Sequence, residues 1–245
     1  MDPISESLTE ASLRFKRVAG EILEAYEARR PASTDQVTPA QLAEAIEQFM
    51  VVAINLDKDQ GETGPIYKDD VNQLGDYGIT LLADLATWAT QLGFENLHQE
   101  LETVALAVAG WVVRHEGELR TLEPIVNALA NLANQTHDPQ KLESLADFMG
   151  RILHACSDLI KQDLEKANPG RPWRVLHLNR GIVATRSHNP AVMESVFNEL
   201  VQTLPEEAPQ FFSEGMQQME ALNYPTHVRQ VMVRYFDRWS RMTMH

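Results

Sequence analysis

Apolar residues recur along this chain at spacings of three and four. Leu8, Ala11, Phe15, Val18, Ile22 and Ala25 lie on one helical stripe, the face a helix buries against a neighbour. Thr38-Pro39-Ala40-Gln41 opens the next helix: threonine can cap it, proline suits its first position, and the glutamine can reach back to the cap. Leu42, Ile46, Phe49, Met50 and Ala53 form the inward face that follows. Further helices are predicted near 71–92, 95–115, 119–134, 139–166, 172–186, 190–203, 206–222 and 226–241. The helix at 95–115 is apolar nearly all round, through Leu101, Val104, Leu106, Val108, Trp111 and Val112. Such a helix belongs at the centre, packed on several sides. No segment alternates with period two between turn signals, so essentially no sheet is expected.

The helix starts repeat. Thr136-His137-Asp138-Pro139 reads in register with Ser187-His188-Asn189-Pro190, a short polar cap followed by proline where its missing N–H costs nothing. Leu92-Gly93-Phe94-Glu95 and Leu222-Asn223-Tyr224-Pro225-Thr226 are looser versions of the same turn. The helices before two of these turns also agree, Leu81, Leu82, Leu85, Ala86 and Ala89 against Ile125, Val126, Leu129, Ala130 and Ala133. Second helices begin at 95, 139, 190 and 226, spacings of 44, 51 and 36 residues. Helix pairs repeated on that scale build an α-solenoid. With Trp88, Leu92, Gly93 and Ala105 also in view, the plan over roughly residues 71–241 resembles the tetratricopeptide or HEAT type in architecture. The expected fold is all-α, with helical-hairpin repeats forming a short irregular α-solenoid. Because the spacing is uneven, a compact multi-helix bundle is the alternative. Along the chain this reads as N-terminal helices over 1–56 packing on the body, an acidic loop over 57–70 and a repeat domain over 71–245.

Composition narrows the chemistry. A chain of 245 residues with 44% apolar residues can bury a sizeable core and is not disordered throughout. One thiol, Cys156, excludes a disulfide scaffold and a cysteine-based zinc or iron–sulfur site within this chain. Residues 1–6 lack the basic start of a targeting segment, and the apolar run from Val104 to Val113 is half of the about 20 residues that cross a bilayer. A cytoplasmic setting without a membrane partner is expected. There is no Walker loop, no Gly-x-Ser-x-Gly and no dinucleotide-binding glycine fingerprint, so no cofactor is expected.

The formal net charge of −14 is unevenly spread. Residues 31–165 carry −15, residues 166–193 carry +5 with no acid at all, residues 194–225 carry −6 and residues 226–245 carry +3. The acidic total argues against a chain whose task is to coat nucleic acid, and Trp173 alone stands near the arginines as a stacking surface. Within the basic segment Arg171, Arg174, His177 and Arg180 recur at helical spacing. They form a candidate anion site for a phosphate, a carboxylate or an acidic peptide. The competing reading is that these helices pair with acidic neighbours inside the domain.

Other constellations are thinner. Glu95-Asn96-Leu97-His98 has the Glu-x-x-His spacing of di-iron proteins, but that chemistry needs the motif twice and two further glutamates. Asn55, Asp57 and Asp59 fit the first three ligand positions of a calcium-binding loop, while Gln60 and Ile66 occupy the places that require glycine and glutamate. No metal site is expected. His137 and His188 are read as turn residues, and Cys156 as a small core residue, since His154 two positions away points elsewhere on a helix. Met216 and Met219 share a helix face that could adapt to varied partners, and Met242 and Met244 end the chain. Taken together these residues point away from catalysis. The expectation is an interaction or scaffold module that presents a helical groove to a protein or peptide, with a small-anion-binding bundle as the alternative. The stripe at Leu8, Phe15 and Ile22 either docks on the body or pairs with a second copy.

Overall fold

A computed structural model of the chain describes residues 4, 6–29, 37–58, 68–164, 168 and 170–240. The inner part of the acidic loop (59–67), Lys166 and the Met242–His245 tail lie outside them. The described residues form α1 (Leu8–Arg29), α2 (Pro39–Lys58), α3 (Lys68–Gln91), α4 (Glu95–Arg114), α5 (Glu123–Gln135), α6 (Pro139–Ala155), α7 (Asp158–Lys161), α8 (Pro172–Arg186), α9 (Pro190–Thr203), α10 (Ala208–Ala221) and α11 (Thr226–Ser240). The fold is all-α; among these residues β pairing is limited to one isolated bridge, Leu119 to Cys156.

Side-chain caps set several of these boundaries. Thr38 and Gln41 form a reciprocal capping box, the Thr38 N–H donating to Gln41 Oε1 at 3.0 Å and the Gln41 N–H to Thr38 Oγ1 at 3.4 Å. Ser7 and Glu10 do the same for α1. Asp138 accepts from the Gln140 N–H at 2.9 Å and Asn189 from the Ala191 N–H at 3.0 Å, each with proline at the first helical position.

One predicted helix is broken. The pattern over 139–166 continues as α6, an extended Ser157 and the single turn α7. The cause is the segment before α5. The Leu119 N–H donates to the Ala155 carbonyl at 2.7 Å, and the Ser157 N–H donates to the Leu119 carbonyl at 2.9 Å. These bonds draw the chain out of the helical ladder. They also hold Leu119 in a bridge outside any helix, and α5 begins at Glu123, later than the pattern predicts.

The chain forms two compact units, Met1–Leu129 with His154–Asp163, and Ala130–Leu153 with Leu164–His245. In the first, α1 packs on α2, α2 on α3, α3 on α4, and α4 back on α1. The α1 stripe of Leu8, Ala11, Phe15, Val18 and Ile22 is buried there, and Leu13 faces solvent. The centre of this unit is α4, every residue of which from Val104 to Val112 is buried. Full burial of one Val or Leu side chain is worth about 1.5–3 kcal/mol, so this helix anchors the unit. In the second unit α8 packs on α9, α10 on α11 and α11 on α9. Its core gathers Met193, Phe197, Leu200, Phe212, Met219, Val228 and Met232, with Phe197 edge-on to both Phe211 and Phe212.

Candidate functional site

The basic helix α8 starts with Pro172 at its first position and buries residues on almost every side, among them Arg174, His177, Arg180 and Thr185. Arg174 is 1% exposed, and its guanidinium donates to Glu206 and, at 2.6 Å, to Glu207. Arg180 donates to the Ala146 carbonyl at 3.0 Å and to Glu199 at 2.5 Å. Gly150 of α6 makes that reach possible, since a Cβ there would stand 2.6 Å from the Arg180 Nη2. His177 is buried edge-on against Trp173. Arg171 holds the N-cap position of α8. Arg174 and Arg180 therefore serve different carboxylates, those of the turn before α10 and that of α9. A free anion at either position would compete with glutamates already in place.

The arginine that ends α8 is placed differently. Arg186 donates to the Ala133 and Thr136 carbonyls at 2.8 and 2.7 Å, at the C-terminus of α5, and no carboxylate pairs with it among the described residues. It lines a groove of about 610 Å³ formed wholly within the second unit by α8, α10, α11 and the α10–α11 turn. Ile182, Phe211, Met219, Leu222, Tyr224 and Met232 supply the apolar wall, and Thr185, Glu214, Gln217 and Gln218 add polar groups. That size lies within the roughly 300–1,000 Å³ typical of ligand-binding clefts.

Three contacts fix how α8 and α10 run. Arg174 meets Glu206 and Glu207, a Cβ on Gly181 would touch the Phe211 ring at 2.5 Å, and the ring of His188, just past the end of α8, is edge-on to Tyr224. The two helices are therefore parallel along the groove. Burial pushes the Tyr224 hydroxyl above its ordinary value, opposed by the Arg186 charge. Little in the sequence marks this groove. Met219 was visible as part of an adaptable face, but Ile182 and Leu222 gain meaning only once α8 and α10 lie side by side.

The first unit holds a buried polar cluster of another kind. His98 bonds through Nε2 to Glu102 Oε1 at 3.1 Å, instead of to Glu95, and Asn127 Nδ2 donates to the same oxygen at 2.9 Å. His98 Nδ1 faces the Ala86 carbonyl at 3.1 Å and Thr90 Oγ1 at 2.9 Å. A carbonyl only accepts, so Nδ1 carries the proton, and Thr90 meets an N–H where an activated nucleophile needs a lone pair. Hydroxyl, imidazole and carboxylate thus stand in line without the base facing the hydroxyl. Among the described residues, no group of three or more His, Cys, Asp or Glu side chains could hold a metal ion. Cys156 is buried, and desolvation pushes its thiol up to about 12, which leaves it a poor nucleophile. His188 is in the left-handed region at φ +57° with its ring edge-on to Tyr224, and its carbonyl accepts from His227.

Among the described residues, no helix is long and apolar enough to cross a membrane. No family model matches the chain, and neither the curated proteins nor the solved structures give a match.

Proposed function

We propose that this protein is a non-catalytic interaction module that receives a protein partner in the groove between α8, α10 and α11. One observation carries the reading: Ile182 and Leu222 line a concave apolar surface yet are 49% and 63% exposed. Large apolar side chains left open at a concavity are what an incoming hydrophobic face covers. Helical-hairpin repeats of the tetratricopeptide or HEAT type are the proposed architecture behind the groove. The pairing of α8 with α9 and of α10 with α11, and the prolines at 190 and 225 where the second helix of each pair begins, support that view. A cytoplasmic location is proposed as well, supported by a lone thiol that is buried and unbridged.

The test uses the full chain and two variants, Ile182→Asp and Leu222→Asp, exposed positions where the substitution spares the core. A partner recovered from the native host is purified and titrated against all three. The reading expects each variant to weaken binding at least tenfold. Unchanged affinity in both would move the docking surface elsewhere. A small anionic ligand is the second reading, favoured by the uncompensated Arg186 in the groove, in place of the paired arginines of Arg171, Arg174, His177 and Arg180. Thermal-shift titration with phosphate and simple carboxylates examines it, and an absence of stabilisation removes it.

A further inference from the structure

The groove is long, and it carries charge of opposite sign along an apolar wall. Its α10 side runs from Phe211 to Leu222 at the helix's C-cap, eleven residue steps and so about 16 Å, or three helical turns. Because α8 runs parallel to α10, one end lies beside Gly181, Ile182 and Phe211, and the other, where His188 meets Tyr224 two residues after Arg186, lies beside Leu222 and Tyr224. The charges separate along that length. Glu214 is the acid of the groove, one turn from Phe211; it is exposed, accepts from Gln210 at 2.8 Å and meets no cation among the described residues. Arg186 stands toward the other end, held by two carbonyls and unopposed by a carboxylate. The Tyr224 hydroxyl beside it makes no hydrogen bond among the described residues.

An occupant matching this surface has an apolar stripe about three turns long, a positive end and a negative end. A fatty acid would satisfy Arg186 and leave its tail against the Glu214 carboxylate. An α-helix satisfies both ends, because its dipole is positive at the N-terminus and negative at the C-terminus. Resting on the groove reading above, we propose that the occupant is an amphipathic helix of a partner protein, bound in one direction only. Its N-terminal turn, bearing a basic residue, lies at Glu214, and its C-terminal turn, bearing an acidic residue, lies at Arg186. The partner helix then runs parallel to α10, with aliphatic anchors against the exposed Ile182 and Leu222.

Two fluorescent peptides of about 14 residues, capped at both ends, test the direction on the full chain. They share one leucine stripe and one composition. The first has lysine in its first turn and glutamate in its last; the second has these exchanged. In isolation the second is the better helix, since its charges suit its own dipole, so tighter binding of the first cannot come from helicity. At low salt the first is expected to bind at least tenfold tighter by anisotropy. Glu214→Lys, at an exposed position, is expected to remove or invert that preference, and Leu222→Asp to abolish binding of both peptides. Circular dichroism checks that each variant is folded. Equal affinity for the two peptides, lost in Leu222→Asp, overturns the direction and keeps the groove. A preference that survives Glu214→Lys also overturns it. Binding of neither peptide overturns the groove reading itself.

Discussion

The two units place a helix at their centre by opposite means. In the first, α4 buries twelve residues, of which Glu102 is the one ionisable group. In the second, α8 buries nine, and four of these are Arg174, His177, Arg180 and Thr185. Their overall charge differs in the reverse sense. The first unit has 24 acidic against 10 basic residues, and the second has 11 of each. The whole of the −14 therefore belongs to the unit with the dry central helix, whose buried acids among the described residues are Glu6, Glu102 and Asp163. The neutral unit spends its charges in pairs, several of them inside. An apolar helix can rotate or slide among similar packings, whereas Arg174 and Arg180 each accept one arrangement of carboxylates and carbonyl. That register also sets Arg186 at the end of the groove, without a carboxylate.

The sharpest separation of the two units is chemical. Cys156 belongs to the first unit and its thiol is pushed up to about 12 by burial. At pH 8 such a thiol is about 10⁻⁴ ionised, against about a quarter for an ordinary cysteine. Iodoacetamide labelling of the native protein is expected to be at least about 10³-fold slower than labelling in urea. The residual native rate then reports the opening of the first unit alone. Native labelling within tenfold of the unfolded rate would mean that the segment around Leu119 and Cys156 is open to solvent.

In the second unit the largest energetic effect should come from an ion pair. Glu206→Gln with Glu207→Gln removes the two carboxylates that the buried Arg174 guanidinium meets among the described residues, which is expected to cost about 3 kcal/mol in urea unfolding. Adding Arg174→Met removes the buried charge and should recover most of the loss. If the double variant loses less than about 1 kcal/mol, the pair is not what holds α8, and the contrast with α4 fails.

These effects divide according to what a sequence can display. Local geometry was readable: the caps at Thr38, Asp138 and Asn189 lie where their spacing places them, and the all-round apolar pattern of 95–115 is the buried α4. The break at Cys156 was not, because it depends on a backbone pairing with Leu119, 37 residues away. The charges of α8 could be counted, but their partners lie on α6, α9 and the turn before α10, so a basic strip and a buried pairing helix look alike in sequence. His98 was read with Glu95 three residues before it, although Glu102 four residues after it is the partner. Both spacings share a helix face, and burial against Asn127 of α5 decides between them. The groove needed two non-consecutive helices side by side, a relation that no local pattern carries.

The smallest effect concerns that glutamate, the ionisable residue at the heart of the dry unit. Burial holds the Glu102 carboxyl above its ordinary value, partly offset by the bonds from Asn127 and His98. A carboxyl raised in this way binds its proton more tightly in the folded chain than in the unfolded one. Its contribution to stability is complete below the ordinary carboxylate range and is lost as pH rises through the folded value. Glu102→Gln keeps an acceptor in place: an amide oxygen at the Oε1 position can still accept from Asn127 Nδ2. The substitution removes the Glu102 titration. Urea midpoints followed from about pH 4 to about pH 8 should fall with pH more in the wild type than in Glu102→Gln, the gap opening just above the ordinary carboxylate range. Parallel curves would show that Glu102 titrates alike in both states, and that this buried carboxyl costs the first unit as little as the acids on its surface.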